Sequence, residues 1–199
     1  MLKGVEQFIS DLTAATRKHG IKLRLAKGKT VRVPPGIQCA GYFDGDHLVV
    51  ATGGRPEEWL RILVHESCHM DQHLSNSKYW REATDENYEK FDSFLGGTRC
   101  RDMVAVMDSI VRVEADCERR AIKKILKYKL PIDVESYAQG ANAYLLSHKA
   151  ILLYQRWYKR PLSSRMDIVK TMPKVIGTPA SYTMHRNRVD PEIFKPWFE

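Results

Sequence analysis

Apolar residues recur over the first part of the chain as Val5, Phe8, Ile9, Leu12 and Ala15. That three-and-four spacing predicts one face of a helix over 3–19, with Gly20 as its stop. The period then changes. Ile21, Leu23 and Leu25 alternate with Lys22, Arg24 and Ala26, which predicts a half-buried strand. A loop containing Pro34-Pro35-Gly36 follows. The short apolar runs Gly41-Tyr42-Phe43 and His47-Leu48-Val49-Val50-Ala51 flank Asp44-Gly45-Asp46 and predict a β-hairpin. Gly53-Gly54 breaks the second strand. Pro56 suits a first helical position, and Glu57 and Glu58 complement a helix N-terminus, so a helix is expected over about 56–74.

A polar helix is expected around 79–95, ending at Gly96-Gly97. A long one covers about 101–128 and is closed by Pro131. Asp133 is placed to cap a further helix running to about 159, which Pro161 ends. Beyond it Pro173, Pro179, Pro191 and Pro196 punctuate an irregular tail over 161–199, with Trp197 and Phe198 expected to dock on the body. A small sheet and hairpin, then a helix, then a bundle of long helices is an α+β architecture. At 199 residues the chain is expected to form a single domain with its core over about 39–160.

Composition narrows the class. Hydrophobic residues are 43% and charged residues 28% of the chain, as in an ordinary globular protein. No apolar run approaches the roughly 18–20 residues that span a bilayer, so no membrane partner is expected. Met1-Leu2-Lys3-Gly4-Val5-Glu6 lacks the basic-then-apolar plan of a secretory signal, which points to the cytoplasm. The cysteines Cys39, Cys68, Cys100 and Cys117 form no CxxC pair and are expected to be buried thiols. The net charge is +8 and unevenly spread. Arg17, Lys18, Lys22, Arg24, Lys27, Lys29 and Arg32 make one cluster. Arg119, Arg120, Lys123, Lys124, Lys127 and Lys129 make a second; Arg156, Trp157, Tyr158, Lys159 and Arg160 make a third. Such patches suit nucleic acid or an acidic partner, and equally a solvated face.

The chemistry is concentrated in His65-Glu66-Ser67-Cys68-His69. Residues four apart share a helix face, so the two imidazoles can converge on one ion, and Glu66 between them can take a proton from an activated water. This is the arrangement of zinc metallopeptidases, with Zn2+ as the expected cofactor and a peptide or protein as substrate. Cys68 lies on another azimuth, and His73 rotates away to the surface or an outer position. A third protein ligand is required. Position 75, six beyond the second histidine, is Ser75 and supplies none. On the long helix Met103, Met107, Ile110, Cys117, Ala121 and Ile125 form an inward stripe, and Glu114 fills its gap. A carboxylate there is costly unless paired or metal-bound. Glu114 is therefore the first candidate for third ligand. Glu118, one turn on, either supports an imidazole or is itself the ligand. His148, His185, Tyr137 and Tyr144 are less specific candidates for stabilising an oxyanion.

HESCH followed by Glu114-Ala115-Asp116-Cys117-Glu118 resembles the gluzincin plan of HExxH with a downstream acidic helix. The hairpin leading into the metal helix is similar to that of the ImmA/IrrE-like metallopeptidases, and the chain resembles small metallopeptidases of tailed bacteriophages. Glu118 stands where Asp or Asn is usual, and Asp71 where a hydrophobic residue commonly follows the motif. The resemblance implies a zinc metalloendopeptidase acting in the (host) cytoplasm. Glu66 is the expected general base, and the strand near 46–51 is expected to offer its edge to an extended substrate. The alternative is a nucleic-acid- or partner-binding module that keeps a structural or vestigial zinc site.

Overall fold

A computed structural model of the chain describes residues 3–33, 37–160 and 162–199. The Pro34-Pro35-Gly36 loop and Pro161 lie outside the described residues. The architecture is mixed α+β, 61% helical and 9% strand. The chain divides into two compact units, Met1–Asn76 with Arg120–Ile132, and Ser77–Arg119 with Asp133–Glu199.

The first unit opens with α1 (Lys3–Lys18), which buries Val5, Phe8, Leu12 and Thr16. It ends in a left-handed residue, Gly20 at φ 72°, where the Ile21 N–H donates to the Thr16 carbonyl at 2.9 Å. Five short strands follow: β1 (Lys22–Ala26), β2 (Val31–Val33), β3 (Ile37–Cys39), β4 (Gly41–Phe43) and β5 (His47–Ala51). The expected hairpin is β4–β5, antiparallel, turning at Gly45 with φ 97°. The other side of β5 pairs in parallel with β1, giving the order β1-β5-β4; β2 and β3 make a separate two-stranded ribbon. This overturns the expectation of a free edge at 46–51. Leu48, Val49, Val50 and Ala51 are all buried, and four consecutive apolar residues are the mark of a strand covered on both faces with neighbours on both sides. The outer strands are β1 and β4.

Helix α2 (Pro56–Leu74) packs on β4 and β5. A Cβ at Gly41 would stand 2.6 Å from Ile62 Cγ2, so glycine there lets β4 lie close against α2. Phe8 of α1 meets Tyr128, whose ring centroid is 5.3 Å away, on the last turn of α5 (Met103–Tyr128).

In the second unit the polar helix expected over 79–95 is two, α3 (Lys78–Glu82) and α4 (Asp85–Leu95). Thr84 restarts it: its Oγ1 accepts from the Asn87 N–H, with Asp85 and Glu86 in the new first turn. Asp133 caps α6 (Val134–Tyr154) as expected, accepting from the Ser136 N–H at 2.7 Å. The helix ends five residues short of the expected boundary, at Gln155 with φ 50°.

The segment beyond it, expected to be irregular, is a series of short turns pinned by α6 side chains. These are Leu162–Arg165, α7 (Met166–Val169), Pro179–Tyr182, Pro191–Phe194 and α8 (Lys195–Phe198). Asn142 Nδ2 donates to the carbonyls of Pro173 and Val175, and its Oδ1 accepts from the Tyr182 hydroxyl. Trp197 and Phe198 dock as expected, both fully buried.

Candidate metal centre

Helix α2 is fixed at its start by Glu58, whose carboxylate accepts from the Arg55 N–H at 3.2 Å and from the Arg55 guanidinium, with Pro56 in the first turn. Leu60, Leu63, Val64, Cys68 and Met70 bury its inner face. That phase places His65 and His69 together, one turn apart. Their Nε2 atoms stand 3.1 Å apart, with ring planes at 82°. His69 is 9% exposed, and its Nδ1 lies 2.9 Å from Gln72 Oε1. An amide oxygen only accepts, so Nδ1 carries the proton and Nε2 of His69 presents a lone pair towards His65.

Two nitrogens each about 2.0–2.1 Å from a tetrahedral ion stand about 3.3 Å apart, close to the separation found here. With no ion, His65 can donate from Nε2 to His69; with one, both lone pairs turn to it. The donor types, the oriented tautomer and the separation all fit a cation. The histidine pair can therefore hold a metal ion of unspecified identity. Gln72, fully buried, is a member of this site that the sequence reading missed. Its signal was available: a polar residue in the apolar phase of the helix, three positions after His69.

Glu66 is 9% exposed on the same helix. Burial, and next the negative charge of Glu66, hold the Cys39 thiol above its ordinary range, so Cys39 is a neutral thiol in the field of that carboxylate. Cys39 and Cys100 are only partly covered, which corrects the expectation of four buried thiols; Cys68 and Cys117 are buried. His73 is exposed, as expected, and sets its ring against Phe43 at 5.6 Å.

Asp71, the unusual residue after the motif, pairs with Lys124 Nζ at 2.8 Å. The same ammonium donates to the carbonyl and the Oγ of Ser67, both at 2.9 Å. An ammonium has three protons, and here all three have acceptors on α2. The last turns of α5 are thus stapled to the helix that carries the histidines.

On α5 the expected inward stripe is buried throughout, and Glu114 (8% exposed) and Glu118 (6%) lie within it. Glu118 Oε2 accepts from the Tyr137 hydroxyl at 2.6 Å. This commits Tyr137 to orienting a carboxylate. His148 is fully buried, and burial lowers its affinity for a proton. Its Nδ1 donates to the Tyr144 carbonyl at 3.0 Å, so the neutral ring has no Nε2 proton to give an oxyanion. Burial also raises the Tyr144 phenol well above its ordinary range. His185 is exposed.

Among the described residues no helix is long and apolar enough to cross a membrane. Compared with protein families, with curated proteins and with solved structures, the chain matches none.

Proposed function

We propose that this protein is a zinc-dependent metallopeptidase of the gluzincin type, with His65 and His69 as two ligands and Glu66 as general base. The observation that carries this reading is the 3.1 Å convergence of the two Nε2 atoms, with the tautomer of His69 set by Gln72. The third ligand would come from α5. Glu114 and Glu118 are its carboxylate candidates. The buried thiol Cys117 is another, since His65, His69 and Cys117 together make a set of side chains suited to a metal ion. Zinc bound there would polarise a peptide carbonyl and acidify a water.

Glu66 takes the proton of the attacking water and delivers it to the departing amine, so one carboxylate serves both halves of the reaction. The outer strand β4, held against α2, is the edge along which an extended peptide would add by backbone hydrogen bonds. Four free thiols fit a cytoplasmic setting.

The test is Glu66→Gln, scored for bound metal and for hydrolysis of a quenched-fluorescent peptide library. Metal content should stay unchanged while cleavage falls by about 100- to 10,000-fold. Cleavage equal to that of the parent sinks the mechanism. Metal content of Glu114→Ala, Glu118→Ala and Cys117→Ala distinguishes the candidates for the third position.

A further inference from the structure

The net charge of the chain is +8, and the first unit holds almost all of it. Its 89 residues contain fifteen Lys and Arg against eight Asp and Glu, a net of +7; the remainder holds seventeen against sixteen, a net of +1. Within the first unit the excess is concentrated again. Between Asp11 and Asp44 the sequence has no carboxylate side chain, and in that interval stand Arg17, Lys18, Lys22, Arg24, Lys27, Lys29 and Arg32. Arg17 and Lys18 fall in the last turn of α1, where a helix C-terminus favours cations anyway. The other five have no such reason. Lys22, Arg24, Lys27, Lys29 and Arg32 are all exposed, and among the described residues none of them is in an ion pair.

Three of these cations, Lys22, Arg24 and Lys27, stand on backbone tied down by hydrogen bonds to β5 and the residues after it. The Thr52 N–H and hydroxyl both donate to the Ala26 carbonyl, and the Gly53 N–H donates to the Gly28 carbonyl at 2.9 Å. The backbone pairing of β1 with β5 is thereby prolonged into the loop that carries Lys27. A Cβ on Gly53 would stand 2.6 Å from the Lys27 carbonyl oxygen, so glycine permits this approach. Lys22 and Arg24 lie on one side of an outer strand, about 6.7 Å apart by the rise of extended chain. That is close to the separation of successive phosphates along an extended nucleic-acid strand. A uniformly charged polymer meets every cation of such a row. A protein surface of mixed charge does so only where its acids happen to fall.

We propose that this face of the first unit, formed by β1, the loop to β2 and Arg32, binds nucleic acid through its phosphate backbone. The five cations act as point charges displacing counterions, so binding is independent of base sequence and strongly salt-dependent. Because the backbone under Lys22, Arg24 and Lys27 is already ordered, little of its flexibility is lost on binding. The proposal stands apart from the peptidase reading: it uses no ligand and no residue of α2.

The experiment is fluorescence anisotropy of the full chain with a labelled single-stranded oligonucleotide and its duplex, titrated from about 50 to 200 mM salt. Five phosphate contacts predict a slope of log K against log salt of about −3.5 for the single strand. Arg24→Glu/Lys27→Glu/Lys29→Glu should weaken binding at least tenfold and flatten the slope by about two. The milder Arg24→Gln/Lys27→Gln/Lys29→Gln should give a smaller loss in the same direction. His65→Ala/His69→Ala should bind like the parent, which keeps this result separate from the metal site. Absence of binding at the lowest salt overturns the proposal. So does equal competition by polyglutamate, tighter binding to anionic lipid vesicles, or loss of binding on reversing Arg156, Lys159 and Arg160 instead.

Discussion

Replacing Lys124 with Met removes one ammonium and keeps the length of its apolar stem, which borders a cavity of about 170 Å³ lined by Phe8, Leu12, Ala15 and Met70. Three hydrogen bonds are lost together. The bond to Asp71 is an ion pair whose carboxylate partner is 38% exposed, so solvent screening limits it to about 0.5–1 kcal/mol. The two bonds to Ser67 are part-buried, between a fully buried serine and a lysine side chain 18% exposed, and neither acceptor is left stranded. Ser67 Oγ still donates to the Val64 carbonyl at 2.7 Å, and the Ser67 carbonyl lies within the α2 ladder. Both bonds run from one ammonium to one residue, so they are counted together as a single charge-assisted contact at the low end of its range, about 1.5 kcal/mol. The sum is about 2 kcal/mol for Lys124→Met, or about 4–8 °C in Tm for a chain of this size.

Asp71→Asn removes only the screened portion and should cost about 0.5–1 kcal/mol. The double variant should show a coupling energy of that same size, since the Ser67 bonds do not depend on Asp71. Urea unfolding followed by far-UV circular dichroism measures all four species. If Lys124→Met lies within about 0.5 kcal/mol of the parent, or if Asp71→Asn costs as much as Lys124→Met, the staple does not hold the histidine helix as described.

Two glycines in helices should respond oppositely to alanine. A Cβ on Gly140 in α6 meets nothing within 4 Å, so Gly140→Ala should stabilise by up to about 1 kcal/mol; a Cβ on Gly4 in α1 would collide with the Tyr128 carbonyl oxygen, so Gly4→Ala should destabilise by about 1–2 kcal/mol despite the better helix former. Thermal melts of the two variants read this as Tm shifts of opposite sign. His148 is held neutral by burial, so its folded pKa lies below the ordinary value near 6.5 and the unfolded chain binds the extra proton first. Stability contributed by this group is therefore complete above about pH 6.5 and is lost as pH falls towards the folded pKa, at about 1.4 kcal/mol per unit. Urea midpoints of metal-free protein at pH 7.5 and 5.5 should fall further for the parent than for His148→Gln; an equal fall contradicts the assignment.

What could be read from the sequence was what depends on neighbours within a turn or two. Pro56 with Glu57 and Glu58 marks the start of α2, Asp44-Gly45-Asp46 the hairpin turn, and Asp133 the cap of α6. Glu114, the carboxylate that fills the gap in the apolar stripe of α5, is buried as its position demands. The elements that escaped depend on distant partners. The pairing of β1 with β5 joins Lys22 to His47 across the whole β2–β4 segment, and no local pattern encodes it. Lys124 looked like one more surface cation because Ser67 and Asp71 are more than fifty residues away in sequence. Gln155 ends α6 by turning left-handed, without the glycine or proline that a reader of sequence looks for. The 161–199 segment looked irregular because its order is imposed by Gln139, Asn142 and Lys149 of α6 reaching its backbone and by Asn187 reaching the Leu146 carbonyl in return, not by any period of its own.

Helix α5 is shared between the two units, and this has a temporal side. A growing chain makes the first 76 residues of the first unit, then all of Ser77–Arg119, before Arg120–Ile132 emerges. Until then Phe8 has no Tyr128 to cover it, and Ser67 and Asp71 have no ammonium. The paired imidazoles therefore sit on a helix whose final setting must wait for residues synthesised more than forty positions later, so the candidate metal centre is begun first and finished late.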